Sequence, residues 1–207
     1  MGIRARRERE KENMRLAILE AATKIIIEDG YENLSMRKLA GAIEYTPTAI
    51  YSYYKDKAQI IDDIIFKIYM EIILNIKKTL KDKDNENISV DKQLGLCFKE
   101  FINTMVSNPE MGRAVIISGT EAMAGPSKSD ALPEEHGVTL LQGLLQKGQQ
   151  QSVLRELDEN VSWMIISALI GFSMTAIQTK SYLDENWQGL VDIYTEVLIN
   201  GLLPKNN

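Results

Sequence analysis

Residues 35–57 constrain the fold more than any other stretch, because they predict two short helices joined by a tight turn. Ser35 is a favourable N-cap, and apolar residues then recur at helical spacing as far as Ile43. Thr46 supplies a second N-cap oxygen. Pro47 follows at the first helical position, where its missing N–H has no intrahelical partner to lose. The stretch therefore predicts a helix pair with a sharply defined second start.

The second helix of this pair, about two turns long, has two different faces. Ile50 and Tyr54 form its inward stripe. The outer face and the residues just beyond it carry short polar groups, phenols and lysines: Thr48, Ala49, Tyr51, Ser52, Tyr53, Lys55 and Lys57. Such side chains are typical of a helix that lies in a DNA major groove. An ordinary amphipathic helix pair with a hydrated outer face is the alternative interpretation.

A resemblance to a known family covers about a quarter of the chain, residues 15–65. It is carried by LAILEAA at 16–22, EDGY at 28–31, LSMRKLA at 34–40 and TPTAIYSYYKDK at 46–57. These runs are similar to the N-terminal domain of the tetracycline-repressor (TetR) family of bacterial transcription regulators. One departure is Glu44, which stands where the family usually has glycine. Because a non-glycine residue at positive φ costs about 1 kcal/mol, we expect a turn of different geometry.

The resemblance implies an all-α fold, a nine-helix TetR-like architecture. A three-helix, helix-turn-helix head that binds DNA would span residues 1–57, with an N-terminal arm at 1–8. A larger helical body that binds an effector and dimerises would span residues 58–207.

The composition agrees with a soluble helical protein, with 44% hydrophobic and 26% charged residues in a chain of 207. The single cysteine, Cys97, excludes an internal disulfide and fits a reducing cytoplasm, and the first residues predict no signal peptide. The net charge of −5 is unevenly divided. Residues 1–57 hold 11 basic and 9 acidic residues, whereas the remainder hold 13 and 20. This asymmetry is expected of a DNA-binding head on an acidic body.

The first 15 residues carry six basic and three acidic groups. Arg4, Arg6 and Arg7 are candidates for an arm that reaches phosphates or the minor groove. Because glutamates interleave at positions 8, 10 and 12, a frayed and solvated terminus is the alternative.

Helical periodicity along the rest of the chain is consistent with nine helices. The first is predicted at about 9–28 with Leu16 among its inward residues, and the fourth is long and begins after Asp56. A sixth is predicted to start at Asn108-Pro109, before a proline-containing loop at 125–133.

The predicted eighth helix, residues 160–179, contains no charged residue and is long enough to span a bilayer. Polar residues dilute it, so we predict instead a helix buried on two sides, by its own core and by a second subunit, with no membrane partner. In the resembling family the last two helices form a four-helix dimer interface. The candidate interface residues are Ala168, Gly171, Thr175, Trp187, Leu190, Tyr194 and Leu198.

Catalytic chemistry is difficult to place in this sequence. His136 is the only histidine and has no partner at metal-ligand spacing, so no metal site is predicted. A Cys97–His136 nucleophile and base pair lacks any local signature, and no glycine-rich phosphate loop is present. We therefore predict no enzymatic activity and no cofactor.

A cavity for a small apolar or amphipathic effector is predicted inside the body, because methionine and aromatic residues line adaptable pockets as well as filling cores. Polar groups that would orient the ligand are Arg113, Glu121, His136 and Gln142. The apolar candidates are Phe66, Tyr69, Met70, Phe98, Phe101, Met105, Trp163, Met164 and Phe172.

The function expected from these features is a cytoplasmic, homodimeric repressor that an effector releases from a palindromic double-stranded operator. By resemblance, Tyr51, Tyr53 and Lys57 hold phosphates, together with the hydroxyls of Ser35 and Thr46. Thr48 and Ala49 would contact base edges, and Arg37 could pair with guanine. The alternatives are an activator or a regulator without ligand, a small-molecule-binding helical protein without a DNA role, and an α-helical enzyme around His136.

Overall fold

A computed structural model describes residues 3–84, 88–110, 112 and 137–204, and these residues form an all-α fold with no strand among them. The described residues form eight α-helices: α1 (Ile3–Asp29), α2 (Met36–Ala42), α3 (Pro47–Tyr51), α4 (Lys57–Asp84), α5 (Val90–Ser107), α6 (Gly137–Gln150), α7 (Val161–Thr179) and α8 (Trp187–Asn200). The all-α prediction is confirmed. The predicted sixth helix and the loop at 125–133 lie largely or wholly outside the described residues.

The chain divides into two compact units, and the division falls within α4, between Ile68 and Tyr69. The predicted domain boundary between residues 57 and 58 stays a prediction; it lies eleven residues before this division, at the start of the same helix α4. Each unit is built around its own set of buried residues.

The first unit packs α1, α2 and α3 with the start of α4. Its core includes Ile18, Ile26, Leu39, Ile50 and Tyr54, each at most 1% exposed. The two inward residues that the sequence predicted, Ile50 in α3 and Tyr54 three residues beyond its end, are thus both buried. The helix α3 itself is shorter than the predicted two turns, because it ends at Tyr51. The prediction for Leu16 was wrong, because this residue is 43% exposed and Ile18 lies inward instead.

The helix α1 begins about two turns earlier than predicted, at Ile3 instead of about residue 9. Neither glycine nor proline interrupts residues 3–14, and Arg6 pairs with Glu10 one turn later at 2.7 Å. At the other end, Gly30 follows the helix with a φ of 84°, as expected of a glycine that ends a helix.

In the second unit, α5 packs against α6, α7 and α8. Leu94, Phe98 and Ile102 on α5 are at most 1% exposed, and so is Ile177 on α7. The rest of α4 joins this unit through hydrogen bonds from Asn75 to Thr104 (3.3 Å) and from Thr79 to Glu100 (3.5 Å), both on α5. The fold of this unit therefore centres on α5.

The helix α7 is the one helix of the described residues that is long and apolar enough to cross a membrane, with a mean hydropathy of 1.6. Such a helix also occurs in the cores of soluble proteins, so this property is weak support for a membrane span. Only 39% of its apolar window is buried within the chain.

Candidate nucleic-acid interface

Two hydroxyl-bearing residues begin the helices of the helix-turn-helix. The Ser35 hydroxyl accepts a hydrogen bond from the backbone N–H of Lys38, and the Thr46 hydroxyl accepts one from that of Ala49, both at 3.2 Å. Each hydroxyl oxygen therefore accepts from a backbone N–H that has no acceptor within its helix, and the hydroxyl hydrogen remains available as a donor. Both residues are exposed, so this donor is available to a partner such as a phosphate.

The outer face of α3 is exposed as predicted. Thr48, Tyr51 and Ser52 are exposed, and Tyr51 retains 55% of its accessible surface. Ala49 is half-buried, and Tyr53 is partly buried because it packs against the core. On α2, Arg37 is exposed. These positions leave small, polar and aromatic groups of α3 in contact with solvent.

The turn between α2 and α3 keeps a left-handed residue although the glycine is absent. Glu44 has a φ of 58°, and the Tyr45 N–H donates to the carbonyl of Ala40 at 2.8 Å. This bond satisfies a carbonyl of the last turn of α2. The expectation of a different turn geometry was therefore wrong in kind: a glutamate takes a conformation that favours glycine, at the expense of strain.

A three-residue cluster ties the end of α3 to the neighbouring helices. Arg15 donates to the Asp63 carboxylate at 2.6 Å and to the Tyr53 carbonyl at 3.3 Å, and its guanidinium lies 4.5 Å from the centre of the Tyr54 ring. The Tyr54 hydroxyl donates to the same Asp63 oxygen at 2.9 Å. Burial and this hydrogen bond raise the pKa of Tyr54, and the bond to Asp63 raises the pKa of Arg15.

Two lysines beyond α3 have different environments. Lys55 is exposed, whereas the Lys57 ammonium donates to the Tyr31 carbonyl at 2.8 Å and lies 3.7 Å from the centre of the Tyr31 ring. Burial lowers the pKa of Lys57. An ammonium has three donors, so one bond to Tyr31 still leaves donors for a phosphate. Just before Lys57, the Asp56 carboxylate caps α4 by accepting from the Gln59 N–H at 2.9 Å, as predicted.

Only some of the predicted effector contacts are buried or partly buried in the second unit. Phe98 and Met105 are buried in the second unit, and Met70, Phe101 and Phe172 are partly buried. Arg113, Glu121 and His136 lie outside the described residues, and so does the side chain of Tyr69. Four candidates have positions unsuited to an interior cavity of the second unit. Phe66 belongs to the first unit and is 63% exposed, and in the second unit Trp163 is 55% exposed, Met164 is 58% exposed and Gln142 is exposed.

A buried hydroxyl that the sequence reasoning missed lies in the second unit. Ser173 on α7 is completely buried, and within the described part of the chain its Oγ has no hydrogen-bond partner. A buried polar atom without a partner costs roughly 1–3 kcal/mol and calls for a physical explanation. In sequence Ser173 is one of several serines on a helix, so no pattern separates it from the exposed Ser167.

Three of the predicted dimer residues, Gly171, Thr175 and Leu190, are exposed. Four further exposed residues, which the sequence did not assign to an interface, continue them at spacings of three and four residues: Met164 and Ser167 on α7, and Ile193 and Val197 on α8. We call these seven residues the α7/α8 strip. The Thr175 hydroxyl donates to the Gly171 carbonyl at 2.8 Å, so it is engaged within its own helix.

Three further interface candidates serve the unit itself. Trp187 is only 6% exposed, which corrects its assignment to a dimer interface: its ring stacks on Phe172 at 5.6 Å. The ring of Tyr194 also stacks on Phe172, with the ring centres 4.0 Å apart, and its hydroxyl donates to the Ala168 carbonyl at 2.6 Å. These contacts join α7 to α8. Ala168, Tyr194 and Leu198 are partly exposed and lie beside the strip.

Groups suited to catalysis are not brought together in the described residues. Burial raises the pKa of Cys97 to about 12, so its thiol is a poor nucleophile at neutral pH. Within residues 3–84, 88–110 and 137–204, no group of three or more His, Cys, Asp or Glu side chains could hold a metal ion.

Comparisons with known proteins agree with this geometry. Residues 18–64 match the profile of bacterial regulatory proteins of the tetR family. A search of curated proteins gives no match.

Solved structures share the fold over nearly the whole chain. A TetR-family transcription regulator from Marinobacter aquaeolei VT8 is 16% identical with a TM-score of 0.62, over 96% of this chain and 100% of that one. The regulator RolR in complex with resorcinol is 11% identical with a TM-score of 0.70, over 94% and 90%. FadR from Bacillus subtilis in complex with stearoyl-CoA is 19% identical with a TM-score of 0.65, over 90% and 98%.

At these identities the structural likeness shows the fold alone. The family match rests on residues 18–64. A helix-turn-helix whose second helix exposes polar side chains is an arrangement with which transcription regulators bind DNA. Residues 18–64 match the tetR family of bacterial regulatory proteins, and nearly the whole chain has the fold of solved TetR-family regulators.

Proposed function

We propose that this protein is a cytoplasmic, homodimeric repressor that a small-molecule effector releases from a palindromic operator. The single observation that carries the DNA-binding part is the outer face of α3, where Thr48, Tyr51 and Ser52 are exposed while Ile50 and Tyr54 are buried. A short helix whose apolar side chains pack against the core can enter a major groove with its opposite face, because its packing contacts with the protein remain intact.

Phosphate contacts would come from groups that ring α3. The free hydrogens of the Ser35 and Thr46 hydroxyls, the Tyr51 phenol and the exposed Lys55 are donors suited to phosphate oxygens. Tyr53 and Lys57 keep this role in our proposal, although both also have contacts within the protein.

Base edges would be read by the exposed Thr48 and by Ala49 and Arg37. A threonine or alanine methyl can contact a thymine methyl, and an arginine can donate two bonds to guanine. Pro47 fixes the start of the helix that carries the first two residues.

Dimerisation would bury the α7/α8 strip against its copy. Large apolar side chains such as Ile193 (60% exposed) and Val197 (62% exposed) lie in contact with solvent, while Gly171 permits close approach of a second helix. A surface of this kind is usually covered by a partner of similar character. Two identical strips related by a twofold axis would supply the symmetry that a palindromic operator requires.

An effector would bind in the second unit and act through α4. RolR with resorcinol and FadR with stearoyl-CoA are relatives in fold that were solved with small molecules, one aromatic and one a long acyl chain. The Ser173 hydroxyl, which has no partner within the described residues, is our candidate for a polar contact to such a ligand, and Phe98 and Met105, buried in the same unit, are our apolar candidates. The helix α4 carries Asp63 of the head cluster and Asn75, which bonds to α5, so a shift of α5 would reach the head.

The decisive experiment selects duplexes from random DNA on the full-length protein and then repeats binding in the presence of fractionated small metabolites. We expect a palindromic consensus whose half-sites lie about 34 Å apart, and release by one fraction. A tens-fold loss of affinity on release corresponds to about 2 kcal/mol of coupling. Failure to retain any duplex would exclude the DNA role and favour a binding protein of another kind.

The effector contact is tested separately with Ser173→Ala and with the control Ser107→Ala, at an exposed serine of the same unit outside the α7/α8 strip. We expect Ser173→Ala to weaken release by the active metabolite fraction while leaving DNA affinity unchanged. Equal release of both variants by that fraction would remove Ser173 from the proposed site.

A further inference from the structure

The N-terminal part of α1 extends beyond the packed part of the first unit. Residues 4–13 are all exposed, and the core begins to use the helix only at Met14, which is partly buried, and at Ile18, which is completely buried. About three turns of helix therefore have no packing role in this unit.

One side of this extension is basic. Arg4, Arg7, Lys11 and Arg15 follow each other at spacings of three, four and four residues, which places them on one face of a helix that turns about 100° per residue. In the part of the chain that the structure describes, Arg4, Arg7 and Lys11 have no ion pair or side-chain hydrogen bond. We call these three residues the basic stripe.

The stripe leads to the recognition helix. Arg15, one turn after Lys11, is bound to Asp63 and to the carbonyl of Tyr53, two residues after α3 ends. The stripe is therefore continuous with the surface that enters the major groove in our proposed function. Along the chain, the three unpaired cations of the stripe precede this anchored arginine.

The other side of the extension is different. Arg6 pairs with Glu10 at 2.7 Å, and Arg9 donates to the Ala5 carbonyl at 3.4 Å, so these two cations are engaged within the helix. Glu8 and Glu12 lie next to the stripe on the side away from Arg7, and they set its acidic border. The positive charge that is free to bind a partner is thus confined to one face.

We propose that the basic stripe binds backbone phosphates of the duplex that flanks each operator half-site. The inference rests on the DNA-binding role proposed above. Phosphate is the partner that fits, because unpaired arginine and lysine side chains on a regular helix match a regular line of negative charge, although the net charge of the whole chain is −5. From Arg4 to Arg15 the helix rises about 16 Å, which equals about five base pairs.

These contacts would not read sequence. They would instead raise affinity for any flanking duplex and lengthen the protected region on each side of the base pairs that α3 contacts. The stripe would therefore add to the salt dependence of binding while leaving the consensus unchanged.

The test compares the full-length protein on two duplexes that contain the same selected half-sites, one with two flanking base pairs on each side and one with ten. The test variant is Arg4→Gln/Arg7→Gln/Lys11→Gln. The matched control is Arg6→Gln/Arg9→Gln/Lys24→Gln, which removes the same charge from the opposite face of α1. Circular dichroism checks that both retain their helix content.

The wild type and the control should bind the long duplex at least about tenfold more tightly than the short one at low salt, and the test variant should bind both equally. On the long duplex the slope of log affinity against log salt should be smaller for the test variant by about two to three per protomer. Lys11→Gln alone should show about one third of that change.

If the test variant keeps the slope and the flank preference of the wild type, or if the control loses as much, the stripe is only solvated surface. A wild type that binds the selected half-sites equally well with short and long flanks would also overturn the inference while leaving the proposed function intact.

Discussion

The exposed face of the first unit and that of the second unit differ in chemistry. Around α3 the exposed groups are hydroxyls, a phenol and cations, and two of those hydroxyls already cap helices. Along the α7/α8 strip the exposed groups are Met164, Leu190, Ile193 and Val197 with small residues between them. The polar face is well solvated until a phosphate replaces the bound water. Exposure of the apolar strip to water is, in contrast, thermodynamically unfavourable.

This difference indicates what kind of partner each face needs. A polar face that is rigid before binding gains specificity from geometry and affinity from released counterions. An apolar face gains affinity from the area that it removes from water, at about 25 cal/mol per Å². The two faces should therefore respond in opposite ways to salt and to the introduction of charge.

The largest effect is expected from a charge placed in the α7/α8 strip. Val197→Glu should convert the dimer to a monomer, because two copies of the carboxylate would be buried near the twofold axis without partners. DNA affinity should then fall more than about a hundredfold, since each head would bind alone. Sedimentation velocity and DNA binding measure the two consequences.

The control for this variant is Gln188→Glu, which adds the same charge on the other side of α8. It should remain dimeric with unchanged DNA affinity. A dimeric Val197→Glu protein would show that the strip is not the subunit interface, and the contrast between the two faces would then need another explanation.

The cluster behind α3 gives the next effect. Asp63→Asn removes the charge that Arg15 and Tyr54 share, and we expect a loss of about 1–2 kcal/mol in the free energy of unfolding together with weaker DNA binding. Tyr54→Phe, which keeps the bond between Arg15 and Asp63, should lose about half as much. Chemical denaturation and binding isotherms on the same samples distinguish the two.

If Asp63→Asn lowers the free energy of unfolding but leaves DNA affinity unchanged under conditions where the protein is fully folded, the cluster does not position α3. The first face would then be held by its apolar side alone, through Ile50 and Tyr54.

The caps, the inward stripe of α3 and the all-α class could be predicted from sequence because they depend on neighbouring residues. Ser35 and Thr46 bond to residues three positions later, so their roles are visible in a short window. The cluster of Arg15 with Asp63 joins residues 48 positions apart, and no local pattern marks it.

The errors have physical causes of the same kind. Trp187 and Val197 both belong to the apolar periodicity of α8, and only the packing of Phe172 against Trp187 decides which of them faces the core. Phe66, Trp163 and Met164 are apolar residues that the fold leaves exposed, so residue type alone could not place them in a cavity. Ser173 could not be separated from its neighbours for the same reason.

The two lysines after α3 sharpen the contrast within the first face. Lys55→Gln should lower the salt slope of DNA binding by about one per protomer without changing stability, because its side chain is exposed. Lys57→Gln should in addition destabilise the protein by about 1 kcal/mol, because its ammonium is bound to the carbonyl and the ring of Tyr31. Thermal unfolding and salt titrations give both quantities, and equal stability of the two variants would place Lys57 with the purely DNA-facing groups.

The smallest effect should come from the strained turn, and it can be compared across the two units. Glu44 before α3 and Lys180 after α7 both have left-handed backbones, with φ of 58° and 60°. Replacing either by glycine removes the steric strain but gives the unfolded chain more freedom, so we expect a net gain of less than about 1 kcal/mol at each site. Unfolding in urea measures the gain. If Lys180→Gly stabilises the protein and Glu44→Gly does not, the glutamate side chain itself stabilises the turn and offsets the strain of its left-handed backbone.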